Sequence, residues 1–197
     1  MKTTALLILP FAFAALLVMS CAAGGTYVFV SQDRYVPKLP PEAEDYRGRT
    51  VYMPGFENRA EDTSVFYYYS PDRSATYEGA PSLQSYLWYC FEKALKKAGM
   101  AVYHEGGPVG APELWIAILS WTDRKLVVEV VLLKETVEVY RAKFTIHGKP
   151  PVDGQPEQLE KAAYQMIDNA VAGILRDRAF GEVFSGVGGG SNLGDEP

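Results

Sequence analysis

Cysteine and histidine are scarce: the 197-residue chain has two of each, Cys21 and Cys90, His104 and His147. Two cysteines are too few for a disulfide framework. Neither histidine stands at a metal-ligand spacing from another histidine or a cysteine, and both read as solvated, one at a strand end and one in a loop. No G-x-S-x-G elbow is present to expose a nucleophilic serine. The glycine runs GGPVG and GVGGG lack the strand–loop–helix context and the lysine of a phosphate cradle. Glu57, Glu61 and Asp62 fall in the polar turn ENRAED, which reads as a solvated turn rather than a glycosidase pair. No metal, cofactor or catalytic residue is expected, and the chain does not read as an enzyme. Lys and Arg total 19 against 24 Asp and Glu, a net charge of −5 at pH 7, and they form no block. Without that electrostatic footprint nucleic acid is set aside as a partner.

What is present begins at the N-terminus. A single positive residue, Lys2, precedes an apolar run from Ala5 to Met19, interrupted at Pro10. A membrane-spanning helix needs about 20 apolar residues, and this run is a signal-peptide core instead. Leu17, Val18, Met19 and Ser20 lead into Cys21, a pattern that resembles a bacterial lipobox, in which the cysteine is acylated and becomes the new N-terminus. The same residues also fit an ordinary secretory peptide cut near Ala22 or Ala23. In the first case residues 1–20 are a lipoprotein signal peptide and Cys21 is the lipidation site. Cys90 is then the only free thiol, and no disulfide forms in the mature chain. By resemblance to bacterial sorting rules, Ala-Ala-Gly-Gly after the cysteine implies the outer membrane.

Residues 21–48 read as anchor and extended tether. Pro37, Pro40 and Pro41 favour polyproline geometry, and Glu42, Glu44 and Asp45 keep the segment solvated, with a short strand at 27–30. The folded α+β domain is expected at 49–180, followed by a disordered glycine-rich tail at 181–197. RTVYMPGF is a first strand ended by Pro54-Gly55, and SVFYYYS is a second. Leu83, Tyr86, Leu87, Cys90, Phe91, Ala94, Leu95 and Ala98 share one helix face, with Pro81 in the first turn and Gly99 just past the end. Cys90, inside that stripe, reads as a buried inert thiol. Strands at 114–121, 125–133 and 137–146, joined by short connections, form an antiparallel meander. A second helix opened by Pro156 buries Leu159, Ala163, Met166, Ile167, Ala170, Val171, Ile174 and Leu175. The fold class is α+β: a mostly antiparallel sheet with two helices packed on one face.

The element order itself resembles a known family. A lipobox, a short strand, a tyrosine-rich segment leading into PSLQSYLWYCFEKALKKAGMAV, a meander at ELWIAILSW, LVVEVVLLKE and VEVYRAKFTI, and a closing EKAAYQMIDNAVAGILRD resemble the ABC-type transport auxiliary lipoproteins. These envelope proteins serve lipid-trafficking systems of the mammalian-cell-entry type. The resemblance implies a non-enzymatic, lipid-anchored accessory that docks onto a transport complex, with Cys21 the only position carried over.

One aromatic cluster remains: Tyr67, Tyr68, Tyr69 and Tyr77, then Trp88 and Tyr89 on the helix side opposite the apolar stripe. Exposed rings there make a partner or ligand surface, since aromatics give much contact area at little entropic cost. Covered by the loop before the helix, they make a satellite core instead. Two functions stay open: an accessory subunit with a protein partner in the envelope, or a periplasmic lipoprotein that binds peptidoglycan, another glycan or lipid.

Overall fold

The computed structural model describes residues 25–43 and 46–185. Cys21, the expected signal peptide at 1–20, the carboxylates Glu44 and Asp45 and the chain from 186 onward lie outside the described residues. Eight strands are present: β1 (Thr26–Val30), β2 (Thr50–Asn58), β3 (Tyr67–Tyr69), β4 (Ala75–Gly79), β5 (Ala101–Tyr103), β6 (Glu113–Thr122), β7 (Lys125–Lys134) and β8 (Val137–His147). Three helices follow the same order: α1 (Leu83–Lys97), α2 (Pro156–Arg176) and α3 (Arg178–Ser185).

The α+β architecture is as expected, but the sheet is mixed rather than mostly antiparallel. β6, β7 and β8 form the anticipated meander, and β3 and β4 pair antiparallel. The other four pairings, β1–β4, β2–β5, β2–β6 and β3–β6, are parallel. Short hairpin connections announce antiparallel neighbours in sequence, whereas parallel partners are distant and leave no local signature.

Both β2 and β3 lie along the same edge of β6. β2 pairs with it as far as Asn58↔Ile118, and β3 joins at Tyr69↔Thr122. Between them Asp62 bridges the gap, accepting from the Trp121 N–H at 2.9 Å and from the Ser120 hydroxyl at 2.6 Å. The residue expected in a solvated turn therefore satisfies a backbone donor of the central strand. Pro54-Gly55 does not end β2 either. The register shifts between Tyr52 and Gly55, which accommodates a proline that cannot donate to the ladder.

The helices cover one face of the sheet. α1 packs on β2, β4 and β5, α2 on β1 and β8, and α3 on β8. Val28, Val51, Met53, Phe56, Leu114, Ile116, Val128 and Val130 point into this layer and are buried against the predicted stripes of α1 and α2. α1 starts after Ser82, whose side chain accepts from Ser85 N, so Pro81 precedes the cap rather than standing in the first turn. Gly99 follows its end at φ +95°, the left-handed position.

The domain is longer at both ends than 49–180. The proposed tether belongs to the fold: β1 is a sheet strand, and Tyr35, Leu39, Ala43 and Tyr46 are buried. Tyr35 donates to Asp168 Oδ1 at 2.6 Å, and Tyr46 to the Leu175 carbonyl at 2.7 Å. Its prolines do not keep it extended throughout, since Pro41 opens a 3-10 turn at Pro41–Ala43, and the segment lies on α2 instead of in solvent. At the other end α3 runs on past Phe180, the last residue of the expected domain, and buries Phe184 within what was expected to be a disordered tail. No helix among the described residues is long and apolar enough to cross a membrane.

Candidate functional site

The six aromatics proposed as one surface do not come together. Tyr68 and Tyr77 face the helices and are buried in a column of rings: Tyr77 to Tyr68 4.5 Å, Tyr68 to Trp121 4.4 Å, and Trp121 to Tyr86 6.1 Å. They are core, not surface. Trp88 is half-buried, and its indole N–H donates to the Met53 carbonyl at 3.3 Å beside the β2 register shift. Its ring stands 4.8 Å from Tyr89, which is exposed, and 4.3 Å from His104. Helical spacing placed Trp88 on the polar side of α1 correctly, but a neighbouring strand reaches it there.

Tyr67 and Tyr69 alternate with Tyr68 and so face the opposite, helix-free side of the sheet. Cross-strand register extends this face. Tyr67 pairs with Glu78 and Tyr69 with Thr76, and Glu78 and Thr76 pair in turn with Phe29 and Tyr27. Arg73 lies 3.9 Å above the Tyr69 ring. Further along, Tyr103, Tyr52, Glu113 and Leu133 form one row, and Gly55, Trp115, Val131 and Arg141 the next. Tyr27, Phe29, Tyr103 and Trp115 are exposed, Trp115 by 37%. One face of the sheet is thus aromatic from β1 to β6.

Charges frame the middle of this face. Arg141 is held by Glu129 at 2.7 Å and Glu138 at 2.6 Å, and Arg59 reaches Glu129 at 3.8 Å and pairs with Glu57. The Arg141 guanidinium holds the Glu138 carboxyl below the usual carboxylate range. These residues and Trp115 line a shallow groove of about 230 Å³. The Trp115 indole N–H donates to Glu113 at 3.2 Å along its edge.

The remaining titratable groups are structural in placement. Burial pushes the Cys90 thiol up. Burial also raises Asp168 despite donors from Tyr35 and the Lys38 backbone, and raises Asp123 despite Tyr77. His104, expected to be solvated, contacts Glu92 at 2.9 Å, while His147 is exposed. Among the described residues no three His, Cys, Asp or Glu side chains converge as a metal set.

Two solved structures resemble this fold. One is an uncharacterized protein, 14% identical, with a TM-score of 0.54 over 77% of this chain and 97% of its own. The other is protein XCC0632 from Xanthomonas campestris, assigned to the family DUF330, 12% identical, with a TM-score of 0.59 over 82% of this chain and 99% of its own. At such identity they establish the fold alone. No family model matches the chain, and no curated protein matches it.

The aromatic sheet face was missed for a definable reason. In TYVFV and ELWIAILSW the outward residues Tyr27, Phe29 and Trp115 alternate with inward Val28, Val30, Leu114 and Ile116. All are apolar, so a polarity count does not separate the two faces, although the period of two is there.

Proposed function

We propose that the chain is a lipid-anchored protein of the bacterial envelope that acts without catalysis as an accessory or docking subunit of a transport or assembly complex in lipid trafficking. Acylated at Cys21, it stands on the outer membrane and faces the periplasm. The observation that carries this reading is the helix-free sheet face, where Tyr27, Phe29, Trp115 and Tyr103 are exposed and Tyr67 is half-buried. A domain that covers one side of its sheet with three helices and leaves aromatics on the other presents a broad contact area of the kind protein partners use. The lipobox-like segment and the element order support the same reading from the sequence side.

In-cell crosslinking of the full-length protein, followed by mass spectrometry, tests it. Recovery of an ABC permease or a mammalian-cell-entry-type subunit is the expected result. Trp115→Ala is expected to weaken that recovery at least tenfold, as loss of a central interface ring costs about 2 kcal/mol, while moving the melting temperature by no more than about 2 °C. Recovery of peptidoglycan fragments or lipid alone would replace the docking reading with ligand binding at the groove beside Trp115.

A further inference from the structure

The chain enters the sheet at one end, and exposed cations gather there. The Thr26 N–H donates to the Ser74 carbonyl at 2.7 Å, which fixes the start of β1 five positions after Cys21. Five extended residues span about 17 Å. The expected tether of residues 21–48 would have let the domain drift well away from a bilayer; a lead of five positions is too short for that.

Three segments surround Thr26 at this end: the turn before β4, the β6–β7 hairpin, and the loop between β8 and α2. They line a depression of about 130 Å³ in which Thr26 itself takes part. Arg73, Arg124, Lys125 and Lys149 are exposed here. The carboxylates at this end are Asp72, Asp153 and, in the first turn of α2, Glu157, also exposed, and Asp123, which is buried. Four exposed cations thus stand against three exposed carboxylates, in a chain that overall has 24 acidic against 19 basic side chains. At the tip of the β8–α2 loop Val152 is 85% exposed, beside Pro151.

We propose that this end is a phospholipid-facing platform, its cations resting on the anionic headgroups of the leaflet that holds the anchor and Val152 its deepest side chain. The proposal rests on acylation at Cys21, and goes beyond it by fixing which way the domain stands. Acyl chains alone hold a protein at a membrane but leave it free to turn. A lead of about 17 Å keeps these cations close to the surface, and the attraction is felt within a Debye length of about 10 Å. The strands then rise from the bilayer. The loop carrying Val109 ahead of β6 lies at the far end, with the ten residues of β6 adding about 33 Å.

The test uses full-length acylated protein in vesicles containing phosphatidylethanolamine and phosphatidylglycerol. A thiol-reactive fluorophore is placed at Val152→Cys or Val109→Cys, and Cys90, buried with a raised thiol pKa, stays unlabelled. Quenching by a headgroup spin-labelled lipid is expected to be several-fold stronger at 152 than at 109. The difference should shrink when phosphatidylcholine replaces the anionic lipid, and when Arg73→Glu, Arg124→Glu and Lys149→Glu are combined. Equal or reversed quenching in protein that floats with the vesicles overturns the orientation and leaves the anchor standing. Protein that neither takes up labelled palmitate nor floats overturns the anchor, and the platform with it.

Discussion

Tyr68 lies between the rings of Tyr77 and Trp121 with its hydroxyl buried and unpartnered. Leaving a hydroxyl so costs about 1–3 kcal/mol. Tyr68→Phe keeps the stacked ring and removes the stranded group, so it is expected to stabilise the domain by about 1 kcal/mol. Thermal unfolding should then rise by about 2–4 °C; a fall would mean that the hydroxyl has a partner. The three consecutive tyrosines show where reading single residues stops. A strand sends Tyr68 one way and Tyr67 and Tyr69 the other, but identical residues carry no polarity to say which goes inward. Trp88 fails differently, because a strand distant in sequence presents the Met53 carbonyl to an indole that spacing alone puts in solvent.

Asp62 illustrates the element scale. Its carboxylate takes the Trp121 N–H where neither β2 nor β3 reaches β6, so it completes the hydrogen bonding along that edge. Asp62→Ala strands that donor and is expected to cost about 1–3 kcal/mol. Denaturant unfolding should show a lower midpoint at unchanged slope; an unmoved midpoint would show that water replaces the carboxylate at no cost. The helices and the meander were legible because each has a period and short connections. The bulge at Pro54 was not, since a proline in a run reads as an ending until a register shift is seen. Nor were the parallel pairings of β1 and β2, whose partners lie far along the chain. In residues 26–43 the prolines suggested an extended tether, yet Pro41 opens a 3-10 turn. The acidic residues suggested solvent, while Tyr35, Leu39 and Tyr46 took the segment into the core.

For the molecule as a whole, two buried carboxyls set a pH dependence. Asp123 and Asp168 both have folded pKa values raised by burial. A raised acid favours the protonated fold: its contribution is complete below the ordinary carboxylate range and is lost as pH rises through the folded value. Glu138, lowered by Arg141, acts in the opposite sense, contributing above that range and losing its effect as pH falls. As pH falls through the raised folded values of the buried pair, unfolding free energy is expected to increase. Asp168→Asn still offers an oxygen to Tyr35 but cannot titrate, so the increase should be smaller. An identical profile in the variant would remove Asp168 as a cause. The position of Thr26 also has a mechanical side. A pull on the chain ahead of it runs along β1, whose five positions are all in register with β4. Force applied that way loads the rungs together in shear instead of peeling them one by one. An attachment placed at the start of an edge strand paired along its whole length can therefore bear tension from a large partner without unravelling the domain it holds.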